Sequence, residues 1–375
     1  MKPIYLDYNA TTPISKEVAD AMRPFLDEYF GNPSSSHIYG LKTKMAVENA
    51  REQVAKLINC EPTEIIFTSG GTEANNFAIR GIAFAHQNRG NHIITSSIEH
   101  PAVIQVCKYL EKFGFETTYL PVDKFGMVNH QDVEAAIRNE TILITIMHAN
   151  NEVGTIQPIA KIGEIAQKHN IFFHTDAAQS LGKINVDVKE LGVDLLSIAG
   201  HKLYAPKGIG ALYIRKGIKL EKLIFGANQE NNLRAGTENV LEIVGLGKTC
   251  EIAQQNLKKN AIHYQKTRDY LYSLLKEALP QIRLNGHPEK RLPNTLNLSF
   301  PDIKANELLA CIKDVAASAG AACHSGNIDI SLVLEAMNIP LNFAMGTIRF
   351  STGRYTTMSE VEIAANEIID TVKYL

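Results

Sequence analysis

The sequence predicts an α/β protein: a large domain on a mainly parallel sheet, followed by a smaller α+β domain. From about residue 63 to 215, short β-rich runs alternate with helical segments of roughly ten to fifteen residues, the rhythm of βαβ units. A long helical stretch over about 239–278 and a sparser mixture of strand and helix after it break that rhythm, and place a domain boundary near 255–260. A chain of 375 residues is long enough for two domains and a large buried core.

The elements follow in order. Glu64-Ile65-Ile66-Phe67-Thr68 reads as a strand and residues 72–84 as a helix. His92-Ile93-Ile94-Thr95 is a strand, and Pro101 opens the next helix. Residues 115–122 and 141–147 read as strands around a helix at 131–138. A helix over 159–169 places Ile162, Ile165 and Ala166 at core spacing, and the strand Ile171-Phe172-Phe173-His174-Thr175 then ends at Asp176. The apolar run Asp194-Leu195-Leu196-Ser197-Ile198-Ala199-Gly200 delivers His201 and Lys202. Residues 239–278 are helical and stop at Pro280, a strand covers 295–300, and a helix begins at Ala305. Ligands of parallel sheets sit beyond the carboxyl ends of strands. Thr68-Ser69-Gly70-Gly71, Asn150-Asn151, Asp176 and His201-Lys202 all fall there.

Composition narrows the function classes. A net charge of -2 offers no general basic field for nucleic acid or anionic lipid. No apolar run approaches the ~20 residues that span a bilayer, and the first residues carry no signal-peptide pattern, so a cytoplasmic protein is expected. The five cysteines are scattered with no Cys-x-x-Cys pair, which is neither a disulfide framework nor a zinc pattern. Cys107, Cys250 and Cys311 fall in helical segments and read as small buried hydrophobes. Several histidines lie near strand ends, but no His-x-x-x-His helix or His/carboxylate cluster accompanies them, so no metal is expected.

Five features could carry chemistry. A lysine and an acid at two strand ends, Lys202 and Asp176, suit a pyridoxal-phosphate enzyme, one holding the aldehyde and the other the protonated ring nitrogen. The ordinary alternative for Lys202 is a surface lysine. Thr68-Ser69-Gly70-Gly71-Thr72-Glu73 joins strand to helix through two glycines and makes either an anion site or a plain capped turn. His100 stands at a strand-to-helix junction, where it could stack on a cofactor and exchange protons or simply flank the helix. The small-residue run from Ala316 to Gly326 around Cys323 reads as a mobile loop presenting an accessible thiol, with an incidental cysteine as the alternative. Gly346-Thr347-Ile348-Arg349-Phe350-Ser351 delivers an arginine fork suited to a carboxylate, or to a surface ion pair.

Together these motifs resemble the cysteine desulfurases of the nitrogen-fixation and iron–sulfur-assembly group, class-V aminotransferase-like enzymes close to the selenocysteine lyases. The likeness spans essentially the whole chain, including Tyr5-Leu6-Asp7-Tyr8-Asn9-Ala10-Thr11-Thr12-Pro13, Asn150-Asn151-Glu152-Val153-Gly154, His174-Thr175-Asp176-Ala177-Ala178-Gln179, Arg234-Ala235-Gly236-Thr237-Glu238-Asn239 and Arg291-Leu292-Pro293-Asn294-Thr295. It implies the aspartate-aminotransferase fold (pyridoxal-phosphate fold type I), with a large cofactor-binding domain over 15–257 and a small domain of 1–14 and 258–375 that carries the Cys323 loop. It implies a homodimer using pyridoxal 5'-phosphate. Lys202 would be the Schiff-base lysine and Asp176 the ring-nitrogen partner, with Gln179 and Asn151 on the ring substituents and substrate. Gly71, Thr72 and His201 would bind phosphate together with Thr237 from the other subunit. His100 would stack on the ring, Arg349 would take the substrate carboxylate, and Cys323 would receive sulfur as a persulfide.

The implied reaction turns L-cysteine into L-alanine and hands sulfur to an iron–sulfur scaffold or another acceptor protein, with no nucleic acid or membrane involved. Two departures stand out. Ala199 occupies a position where many relatives have a phosphate-binding serine, and Cys323-His324-Ser325-Gly326 is closer to the selenocysteine lyases. L-Selenocysteine is therefore the alternative substrate. A non-catalytic sulfur-relay protein and an aminotransferase with no use for Cys323 are the competing classes.

Overall fold

The computed structural model describes residues 3–324 and 327–375, with side chains described outside 321–329. A seven-stranded sheet dominates, in the spatial order Ile65–Thr68, Gly210–Ile214, Leu195–Ala199, Phe172–Asp176, Thr141–Thr145, His92–Ser96 and Glu116–Leu120. Its pairings are parallel except those of Gly210–Ile214, which runs antiparallel to both neighbours. Strands His92–Ser96, Thr141–Thr145 and Leu195–Ala199 are buried at every residue because both faces of the sheet are covered. Successive residues serve opposite faces. Ile65 and Phe67 join the cluster that holds Val54, Ile58 and Ile162, whereas Ile66 joins Phe77, Ile82 and Val103 on the other side. Edge strand Glu116–Leu120 is only partly buried and is shorter than the 115–122 run expected.

The second core lies over a four-stranded antiparallel sheet in the order Ser318–Ala319, Thr347–Ser351, Thr295–Ser299, Arg283–Asn285. Leu271, Leu275, Val361, Ala364 and Ile368 from two helices cover it. Helix Val240–Ala278 serves both cores, giving Ile243, Leu246, Cys250 and Ala253 to the first and Leu271 and Leu275 to the second. At the other end of the chain, Ile4–Tyr5 pairs in parallel with Val315–Ala316, so the N-terminal arm adds to the smaller core.

Two expectations need correction. Cys311 is exposed, unlike the buried Cys107 and Cys250. It ends the helix Ala305–Cys311, and the inward position after Leu308 is taken by Ile312. The run from Ala316 is also not a simple loop. Ser318–Ala319 pairs with the arginine strand, and Ala321–His324 pairs antiparallel with Asn327–Ile330, Cys323 opposite Ile328. Small residues permit this close approach: a Cβ on Gly320 would stand 2.9 Å from Thr347 Cγ2. Ser325 and Gly326, and the Cys323 side chain, lie outside the described residues.

Candidate active site

Beyond the carboxyl ends of the strands lies a cavity of about 300 Å³. Gly71, Thr72, His100, Asn151, Asp176, Gln179, His201, Lys202 and Arg349 line it, with Asn9, Asn75 and Ala199 among their neighbours. Of the candidates from sequence, Thr237 stands apart, exposed beside Gly236 (φ 114°) and outside this cavity, and the Cys323 side chain lies outside the described residues.

Lys202 ends a single 3-10 turn, Gly200–Lys202, directly after its strand. Its Nζ donates to the backbone oxygens of Asn9 (2.6 Å) and Ala10 (2.7 Å). Burial draws the amine down to about 8, aided by the Arg349 guanidinium and opposed by Asp7 and Asp176. An amine in that range supplies nucleophile at neutral pH that an ordinary lysine does not.

Asp176 is buried at the end of Phe172–Asp176. Its carboxylate accepts hydrogen bonds from two neutral donors, Asn75 Nδ2 (2.7 Å) and the Ala178 amide (2.9 Å). A buried carboxylate with lone pairs open to a cavity fits a protonated ring nitrogen. Helix Gly71–Ala85 begins at the same cavity, and its N-cap, Gly70, supplies no side-chain cap. Gly70 has φ 153°, a left-handed conformation reserved for glycine. The first-turn amides and the Thr72 hydroxyl are thus left for an anion. An anion cradle, a buried acid and a depressed amine around one cavity fit pyridoxal 5'-phosphate.

His100 caps helix Pro101–Glu111, its Nδ1 accepting from the Ala102 amide at 3.1 Å. With Nδ1 accepting, the ring proton belongs on Nε2; burial lowers the ring's pKa, Asp176 opposing and Lys202 reinforcing the effect. His201 Nδ1 meets Thr11 Oγ1 at 3.2 Å, and burial takes its ring down to about 4. Arg349 donates from Nη1 to Asn151 O (3.1 Å) and from Nη2 to Asp7 Oδ1 (2.8 Å) and Ser318 Oγ (3.1 Å). Its Nε is buried with no hydrogen-bond partner among the described residues.

Several participants escaped the sequence reading. Asn9 collects hydrogen bonds from Lys202, Gln179, Lys183 and Asn294. Asn75, which holds Asp176, stands three residues after Thr72 on one helix face, a spacing that could have flagged it. Glu99, beside His100, accepts from Ser96 Oγ (2.6 Å) and the Met147 amide (2.9 Å), and burial pushes its carboxyl up to about 8.

Comparison with known proteins identifies the family. The family model described as Aminotransferase class-V matches residues 4–363. Cysteine desulfurase IscS of Dictyoglomus turgidum is 52% identical over 362 residues, covering 96% of this chain and 92% of that protein. A solved structure named NifS-like protein superposes with a TM-score of 0.94 at 38% identity, covering 100% of both chains. Another, named SspA in complex with cysteine, has a TM-score of 0.83 at 39% identity over 94% of this chain and 100% of that one. The chain belongs to the class-V aminotransferases and, among them, to the pyridoxal-phosphate-dependent cysteine desulfurases.

Proposed function

We propose that the protein converts L-cysteine to L-alanine and passes the sulfur through a Cys323 persulfide to an acceptor protein for iron–sulfur cluster or thio-cofactor synthesis. The carrying observation is one cavity that joins the depressed Lys202 amine, the buried Asp176 carboxylate and the Arg349 fork. Pyridoxal phosphate, when bound, supplies an electron sink for the pair left at the substrate's Cα. Lys202 would hold it, and its amine would move the proton at the substrate's Cα. Asp176 keeps the proton on the ring nitrogen. Gly71, Thr72 and His201 would hold its phosphate, and His100 would stand against its ring. Gln179 and Asn151 contact ring substituents and substrate, while Arg349 takes the substrate carboxylate.

The Cys323 thiolate attacks the substrate sulfur. An S–S bond forms, the Cβ–S bond breaks, and its electron pair ends in a new C–H bond of alanine. A homodimer with Thr237 of the partner subunit at the phosphate accords with an exposed apolar stripe. Ile38 (72% exposed), Leu41 (45%) and Met45 (73%) recur along one face of helix Ile38–Ile58, beside Phe30 and Tyr39.

The test incubates the purified protein with L-cysteine and an excess of a thiol reductant, which reduces the persulfide and frees its outer sulfur as sulfide, and measures alanine and sulfide together. Equal release of both is expected. A keto-acid product would replace this reading with aminotransfer, and a protein that cannot take up the cofactor would leave only the relay reading. The Cys323-His324-Ser325-Gly326 run favours a second reading, so L-selenocysteine turnover is measured alongside; a strong preference for it would reassign the substrate.

A further inference from the structure

We propose that Lys183 is a positioning residue for the cavity, acting through Gln179 and Asn9. It occupies a turn just after Gln179 in sequence and is 5% exposed. Its Nζ donates to Gln179 Oε1 (2.9 Å) and Asn9 Oδ1 (3.3 Å), and meets no carboxylate at ion-pair distance among the described residues. A buried lysine without a counter-ion is an expensive device for filling space, since an apolar side chain of similar volume would cost less. Burial lowers its pKa, and the charges of Lys202 and Arg349 act in the same direction.

The hydrogen-bond network explains what Lys183 does. Asn9 Nδ2 donates to Asn151 O (3.2 Å) and Thr295 Oγ1 (2.8 Å), so Asn9 Oδ1 is an acceptor, shared by Asn294 Nδ2 (2.9 Å) and Lys183. The Asn9 carbonyl can only accept, which requires the amide nitrogen of Gln179 on that side (3.0 Å). Gln179 Oε1 must then be satisfied away from Asn9 O, and Lys183 supplies that donor. The second N–H of Gln179 is left for the cavity, which this residue lines. The same Asn9 carbonyl receives Lys202 Nζ at 2.6 Å, so one buried amine steadies both the amide that faces the cofactor and the acceptor of the anchoring lysine.

The inference rests on Gln179 contacting a ring substituent of the cofactor. Its test compares holoenzymes of Lys183→Met, Lys183→Arg, Gln179→Ala and the Lys183→Met/Gln179→Ala pair. The readouts are the visible absorption band, kcat and KM for L-cysteine, and the melting temperature. Lys183→Met is expected to shift the band and lower kcat about tenfold, as a small misplacement of a positioned group does, with KM little changed. Melting should stay close to the parent because methionine fills the same volume, and Lys183→Arg should restore part of kcat. The paired variant should match Gln179→Ala alone, the signature of two residues acting as a unit. If Lys183→Met does not fold, the Lys183→Gln variant takes its place in the comparison. An unmoved band and kcat in the Lys183 variant, while Gln179→Ala changes both, would overturn the proposal, as would additive effects. An unmoved band in Gln179→Ala would instead overturn the ring contact, and this inference with it.

Discussion

Ser318 lies opposite Arg349 in the smaller sheet, and its hydroxyl stands 3.1 Å from Arg349 Nη2 and 2.9 Å from Asp7 Oδ1. The guanidinium is therefore aimed by groups from three distant parts of the chain: the N-terminal arm, the Asn151 turn and the segment that leads to Cys323. Four residues separate Ser318 from Cys323, so the backbone that leads to Cys323 begins beside Arg349.

Arg349→Lys tests this aim. A lysine keeps the charge but loses the planar fork and its bond to Asn151 O. KM for L-cysteine should rise about 10- to 100-fold, the worth of a charge-assisted hydrogen bond, with a smaller change in kcat. Steady-state kinetics check it, and a KM within twofold of the parent would remove Arg349 from substrate binding.

The pH dependence of cofactor attachment follows from Lys202. Its amine is drawn down to about 8, so the cofactor-free protein gains free amine as pH rises and the attachment rate should climb with a midpoint near pH 8 and level about one pH unit above it. Arg349→Met removes a charge that holds the amine down and should move the midpoint to higher pH. Asp176→Asn removes one that holds it up and should move the midpoint lower. The same shift makes stability rise with pH between about 8 and the ordinary lysine value, because the unfolded chain keeps its proton longer. Stopped-flow reconstitution across pH reads the midpoints.

Gly71 and Ala199 face one another at the anion cradle. A Cβ added at Gly71 would stand 3.1 Å from Ala199 Cβ. Gly71→Ala should weaken cofactor binding through crowding. Ala199→Ser, which places a hydroxyl at the cavity wall, should tighten it by about tenfold, as one hydrogen bond to a charged group does. Equilibrium dialysis of pyridoxal phosphate against both variants measures the pair.

Cys323→Ala should retain the yellow cofactor and still change spectrum with L-cysteine, because the cavity residues are untouched. It should form no persulfide and release no sulfide above background. Mass spectrometry of the protein after substrate addition decides the point; normal sulfide release would remove Cys323 from the reaction.

The sequence alone determined the α/β sheet, the strand ends where Asp176 and Lys202 stand, and the glycine turn before Thr72. Each of these is written in short-range pattern: an apolar period, a breaker, then a reactive side chain. It also singled out Cys323 by the small residues around it, while missing that this run enters ladders beside Arg349 and folds back as a hairpin. Only the tertiary structure decided who serves these residues. Asn9 lies 193 positions from Lys202, and Asp7 lies 342 from Arg349. Such bonds exist because the N-terminal arm joins the smaller core and is thereby brought over the strand ends of the larger one. Local periodicity contains no record of that closure, since it is paid in long-range burial and hydrogen bonding.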